Sequence, residues 1–254
     1  MRHLPQVPVR IGVVMAVVLA LAPGARAQSL TAGEILAKVV AKNNERQAAL
    51  DHYTGDRTYR IEYTGIGGYH MAELVVHADY RAPGRKHFTV LSERGSKPIC
   101  EQVLKKILEG EEEASSQENQ GQTVLSSENY DAVLAGQEKV DGIDAWMLDV
   151  TPKHATRFDY SGRIWVSMDD FGIMRVAGAP AKNPSWLVHG ASFDYRYQRI
   201  GIFWLPEKNT SVTHVRVGGE AHLTIEYGPY TVEPAQPKIP ATENLSASVK
   251  QPHK

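Results

Sequence analysis

The sequence predicts an α+β fold that is mostly antiparallel β. About ten or eleven segments alternate polar and apolar residues with a period of two, and only two segments carry a helical period. No strand–helix–strand alternation of the kind that builds parallel sheets is present.

The first helix lies over residues 31–50, "TAGEILAKVVAKNNERQAAL". Thr31 and Glu34 stand at capping-box spacing, and Ile35, Leu36, Val39 and Val40 fall on one stripe. The period then changes to two. In "DRTYRIEYT" Tyr59, Ile61 and Tyr63 alternate with Thr58, Arg60 and Glu62, which makes a half-buried strand. The turn "GIGG" leads to "YHMAELVVHADY", where Leu74, Val76 and Tyr80 share a face, and "KHFTVLSE" supplies a third strand.

A second, short helix is expected over "PICEQVLKKILEG", with Pro98 in its first turn, Gly110 at its end, and Ile99, Val103 and Ile107 at fourfold spacing. The acidic stretch 109–122 that follows has no period and reads as a mobile loop. From Tyr130 onward strand follows strand. "AVLAGQEKV" meets "IDAWMLDV" through Asp141-Gly142, "RFDY" meets "RIWVSM" through Ser161-Gly162, and "GIMRVAGA" follows a turn at Asp169-Asp170. Then come "ASFDYRYQRI", "IFWLP", "TSVTHVRV" and, after Gly218-Gly219, "AHLTIEY". Residues 234–254 are rich in Pro, Ala, Ser and Lys and read as a disordered tail.

Residues 1–27 have the form of a cleavable signal peptide. Arg2 and Arg10 precede the 12-residue apolar run "IGVVMAVVLALA", and "ARAQ" offers small residues for cleavage after Ala27. That run is roughly 18 Å long as a helix, short of a hydrocarbon core of about 30 Å. Export to the periplasm follows, with a single domain over 28–233. Losing Arg2, Arg10 and Arg26 moves the formal charge from −1 to −4, and no basic block points to nucleic acid as a partner. Cys100 is the only cysteine, so no internal disulfide is available.

Most candidate chemistry has an ordinary structural reading. His70 and His77 are seven apart on one strand and point to opposite faces. A two-residue turn at Gly218-Gly219 sets His214 and His222 on different faces, so no metal-ligand pair is expected. "GIGG" lacks the strand-to-helix context of a phosphate loop. Asp144, Asp149, Asp159, Asp169 and Asp170 read as turn and rim residues. No catalytic residue and no cofactor site is expected. The remaining signal is aromatic: Trp146, Trp165, Trp186 and Trp204, with Phe193, Tyr195 and Tyr197, lie in or beside strands of the second half.

The stretches "NYDAVLAGQEKVDGIDAWMLDVTPK", "YSGRIWVSMDDFGIMRV" and "FDYRYQRIGIFWLPEK" carry a resemblance. A hairpin ending in "VDG", an apolar strand ending in "PK", "IWV" before an acidic turn, "IMRV", and a late strand ending in "LP" resemble the superfamily of periplasmic lipoprotein carriers and receptors, LolA and LolB. That superfamily includes the amino-terminal domain of the regulators RseB and MucB. The resemblance spans roughly Thr31 to Glu233. It implies a strongly curved, unclosed β-barrel whose concave side is covered by helices, leaving an apolar cavity for the acyl chain of a lipid or lipoprotein. It further implies no catalytic residues, and a membrane-protein donor or acceptor. Strand alternation then names the cavity wall as Leu74, Val76, Trp146, Leu148, Trp165 and Trp204. The alternative is a sensor or scaffold that binds a protein partner in an envelope-stress-type regulatory system.

Overall fold

The computed structural model describes residues 30–115, 124–156, 159–183, 188–216 and 218–236. The signal-peptide reading, the second half of the acidic stretch, Trp186 and the tail beyond residue 236 lie outside the described residues.

Helix α1, Ala32–Ala49, opens with the expected capping box: Thr31 Oγ1 accepts from Glu34 N–H, and the Glu34 carboxylate takes the Thr31 N–H at 2.8 Å. Its buried residues are Ile35, Leu36 and Val39. Ten strands follow: β1 Leu50–Gly65, β2 Gly68–Arg81, β3 Arg85–Gly95, β4 Tyr130–Val140, β5 Ile143–Pro152, β6 Tyr160–Ser167, β7 Ile173–Pro180, β8 Val188–Ile200, β9 Phe203–Val215 and β10 Gly219–Pro234. After β3 the chain is helical as far as Ser115: α2 is Lys97–Ile99, a π-helical turn covers Cys100–Leu104, and α3 is Lys105–Ser115.

The strands form one antiparallel sheet in the order β3-β2-β1-β10-β9-β8-β7-β6-β5-β4. β3 and β4 are its two edges, so the half-barrel is curved and unclosed. One row of directly paired residues crosses it: Leu134, Leu148, Ile164, Val176, Tyr195, Asn209, Ile225, Tyr59 and Leu74. Paired residues share a face, so this row defines the concave side from β4 to β2. Both helical segments lie on that side. Cys100, Leu104 and Leu108 pack with Tyr59, Ile61, Leu74, Val76 and Phe88 in one core. At the other end Trp146, beside Leu148 on the same face, stacks on Phe171, and Lys38 of α1 stands 5.3 Å over the Phe171 ring. The convex side is tied by ion pairs between neighbouring strands, Asp149–Arg163, Arg175–Asp194 and Lys208–Glu226.

Three expectations about local structure change. Asp141-Gly142 is the predicted tight turn, with φ of 49° and 84°, but Ser161-Gly162 is no turn. It lies inside β6, because Gly162 pairs directly with Gly178, and a Cβ on Gly162 would come within 2.2 Å of the Ala177 carbonyl oxygen. The second helix does not stop at Gly110. It runs on to Ser115, so the acidic stretch begins as helix and not as loop, held by Glu111 and Glu112 against β1 and β3. The π turn sets Cys100, Leu104 and Leu108 inward and leaves Val103 exposed. Finally, the β9–β10 register pairs Glu220 with His214 and Val212 with His222, which puts both histidines on one face.

Candidate functional site

The two helical covers leave a strip of the concave face between them. Under α2 and α3, Tyr59, Leu74 and Val76 are fully buried, and at the α1 end Leu148, Ile164 and Val166 are fully buried. Between these limits the concave face of β8, β9 and β10 carries half-buried residues, Phe193, Tyr195, Tyr197, Asn209, Tyr227 and Tyr230, beside the buried Ile225. The alternation in "FDYRYQ" puts Phe193, Tyr195 and Tyr197 on one side of β8, where Phe193 and Tyr195 stack at 4.6 Å. Tyr227 and Tyr230 reach the same side of β10 because a bulge opposite Gly55 and Arg57 adds one residue between them. Burial pushes the Tyr197 hydroxyl up to about 12, helped by Tyr195, and raises those of Tyr195, Tyr227 and Tyr230 as well.

One edge of this strip is polar. Arg57 on β1 is only 2% exposed. It donates from Nη1 to Glu111 at 2.9 Å, and Tyr59 donates its hydroxyl to the same carboxylate at 2.8 Å, while Lys86 Nζ stands 3.6 Å away. The guanidinium lies 4.8 Å over the Tyr227 ring and 5.3 Å from that of Phe88. Burial works hardest against the charge of Arg57, but Glu111, Tyr59, Tyr53 and Tyr227 together outweigh it and raise the pKa; burial lowers that of Lys86, which Glu111 and Glu112 oppose only in part. Asn209 donates to the Tyr227 hydroxyl at 2.9 Å. Arg57 Nε and Asn209 Oδ1 are buried without a hydrogen-bond partner among the described residues.

The far end of α1 is pinned by Asp170 in the β6–β7 turn. Arg46 meets its carboxylate at 3.1 Å and also donates to the Asp170 and Ile202 carbonyls, while Trp204 donates its indole N–H to the carboxylate at 3.0 Å. Burial alone would raise the Asp170 carboxyl, yet the Trp204 and Gly172 donors and Arg46 hold it below the ordinary carboxylate value.

The residues named from the sequence fall in four places. Leu74 and Val76 lie under α2 and α3. Trp146 and Leu148 share the concave face at the other end. Trp165 is on the convex face, since it pairs with Met147 and Arg175 whereas its neighbour Ile164 pairs with Leu148; it packs with Ala145 and Met174 beneath Arg175, and donates to Glu138 at 2.7 Å. It therefore does not line the concave wall. Trp204 borders a cleft of about 230 Å³ under the last turn of α1, with Arg46, Leu50, Phe203 and Leu205. Arg57, Glu111, Asn209, Tyr227 and Tyr230 are the residues that sequence reasoning left out.

A wider groove of about 600 Å³ opens on the convex face between Asp194, Arg196, Glu207, Lys208, Thr210 and Glu226. Its charged lining does not suit a hydrocarbon chain, so volume alone is a poor guide to the site. His214 and His222 flank Glu220 on that face, but among the described residues no group of three or more His, Cys, Asp or Glu is arranged to hold a metal.

The fold and strip define an open antiparallel half-barrel with helices over its concave side. The chain is similar to a DUF1329 family protein from Desulfovibrio piger, at 15% identity over 81% of this chain and 94% of that one, with a TM-score of 0.43. It is similar to a LolA superfamily protein from Nitrosomonas europaea, at 12% identity over 82% and 96%, TM-score 0.34. A third is an outer membrane lipoprotein-sorting protein domain from Vibrio parahaemolyticus, at 10% over 79% and 94%, TM-score 0.36. The second carries the name of the superfamily that the strand motifs resemble, and likeness of this degree supports no inference about a ligand. No protein-family model and no curated protein matches the chain.

Proposed function

We propose that the chain is a non-enzymatic periplasmic carrier that shelters the acyl chain of a lipid or lipoprotein along the half-buried strip of β8–β10. The observation that supports this is the half-buried aromatic row of β8 between the two helical covers: Phe193, Tyr195 and Tyr197 share one face there. Covering a sixteen-carbon chain at about 0.8 kcal/mol per methylene is worth roughly 12 kcal/mol gross, before the costs of association and ordering. A site open between two helices returns its ligand more readily than a closed barrel does, which suits transfer between membrane proteins that act as donor and acceptor.

The test is native mass spectrometry of the processed protein from its own periplasm, followed by titration with a fluorescent fatty acid. A co-purifying lipid or saturable binding is the expected result; a ligand-free protein that binds no fatty acid would overturn the reading. The charged convex groove favours a second reading, a scaffold for a protein partner, which predicts a stable membrane-protein complex recovered without lipid.

A further inference from the structure

We infer that the apex of the β1–β2 hairpin is a docking surface for a lipid bilayer. The inference goes beyond the carrier reading above and stands without it. Residues 63–72, "YTGIGGYHMA", carry no Asp, Glu, Lys or Arg. Ile66 at the turn is the most exposed large apolar side chain among the described residues, at 73%, with Tyr69 at 62% and Met71 also exposed beside it. The β9–β10 turn lies against the same apex: Tyr63 donates its hydroxyl to the Gly218 carbonyl at 2.9 Å, and the Ile66 side chain sits next to Gly218. Two glycine-rich turns thus meet around one exposed isoleucine.

The build of the apex suits lipid rather than protein. A stable protein interface covers about 800 Å² on each partner. Three side chains at a turn fall far short of that, whereas an apex entering a bilayer needs only its own apolar atoms. An apolar phase tolerates no unpaired backbone, and here strand pairing runs right up to the turn, since Gly65 pairs with Gly68 on one side and with Gly219 on the other. Gly67 and Gly68, with φ of 90° and 94°, make so tight a closure possible. Tyr69 supplies an amphipathic ring of the kind that sits at head-group depth, and Arg216 in the next turn has a stem long enough to keep its charge in water. The charges flanking the apex are mixed: Glu62, Glu73 and Glu220, the last held by His214 and His222, stand against Arg60, Arg94, Lys97 and Arg216. Apolar insertion, and not attraction to an anionic surface, is therefore the driving force. The concave row Ala191, Thr213, Ala221 and Tyr63 lies between Phe193 and this end of the sheet, so a chain leaving the aromatic strip here arrives at the bilayer surface.

The experiment is co-flotation of the processed protein with dioleoylphosphatidylcholine vesicles, and with vesicles that also hold phosphatidylglycerol, at low and high salt. Wild type is expected to bind both, with little loss in salt. Ile66→Asp should lower the partition coefficient roughly tenfold or more, the scale of one buried isoleucine side chain. Val133→Asp, at a residue 66% exposed on the β4 edge, should leave it unchanged. In wild type, spin-labelled phosphatidylcholine in the bilayer should broaden the Tyr69 resonances ahead of those of Tyr195 and Tyr197, a readout that needs no variant. Absence of flotation with phosphatidylcholine overturns the inference, as does binding confined to the anionic vesicles at low salt or unchanged binding of Ile66→Asp. Self-association of wild type that is lost in Ile66→Asp, without vesicle binding, gives the apex to a second copy and overturns it too. Ile66→Asp should still titrate with the fluorescent fatty acid as wild type does, so failure of bilayer docking leaves the carrier reading standing.

Discussion

Replacing Glu111 by alanine probes the buried cluster that joins α3 to the sheet. In the native protein this carboxylate accepts from Arg57 Nη1 at 2.9 Å and from the Tyr59 hydroxyl at 2.8 Å, with Lys86 3.6 Å away. Tyr59 is fully buried and Arg57 nearly so, and Glu111 is the carboxylate that meets both. Removing one side of a buried pair costs about 3–5 kcal/mol. The Glu111 side chain is 24% exposed, so water replaces part of the loss and the lower end, about 3 kcal/mol, is expected. For a chain of this length that is a fall in Tm of roughly 6–12 °C. Equilibrium urea unfolding followed by far-ultraviolet circular dichroism gives the value. A double replacement, Arg57→Met with Glu111→Leu, removes both charges and should recover most of the loss. A loss below about 1 kcal/mol for Glu111→Ala, or no recovery in the pair, would refute the view that the cluster is a tightly coupled unit.

Further perturbations test other parts of the fold. Gly178→Ala puts a Cβ within 2.3 Å of the Ser161 carbonyl oxygen, so β6 and β7 must part; a loss of about 2 kcal/mol is expected, and a stability within about 0.5 kcal/mol of wild type would contradict the close approach. Asp170 titrates below its ordinary value of 3.8 in the folded state, so its contribution is present above that value and is lost as pH falls through the depressed pKa. The stability difference between wild type and Asp170→Asn should therefore be constant near neutrality and vanish in acid. Tyr130, raised by burial and by Asp159, and Tyr197, raised by burial and by Tyr195, both lie at about 12 against an ordinary 10. Their stabilising effect is complete below pH 10 and is lost as pH rises through 12, and tyrosinate absorbance of the folded protein should lag that of the urea-unfolded chain across this window.

Features set by neighbours in sequence were legible from it. The Thr31–Glu34 box and the Asp141-Gly142 turn form as read, since their partners lie within three residues. The period-two alternation of β1, β2, β5 and β8 shows which residues share a face within a strand. It cannot show which face is inward, and so Trp165 was grouped with Trp146 although the β5–β6 register sets them apart. Glu111 was hidden for a different reason: its partner Arg57 is 54 residues away, and three consecutive glutamates look like a solvated run. Gly162 looked like a turn residue because its cause, Gly178 on the next strand, is a long-range contact. Turn length decided the histidines, where a register that differs from the two-residue reading brings His214 and His222 to one face.

The claim that acyl chains lie along β8–β10 is tested most directly by tyrosine-labelled nuclear magnetic resonance with a spin-labelled stearate. Selective broadening of Tyr195, Tyr197 and Tyr227, relieved when palmitate displaces the probe, is the predicted outcome. Broadening confined to groups around Arg196 and Lys208 on the convex side, or none at any tyrosine, would contradict it.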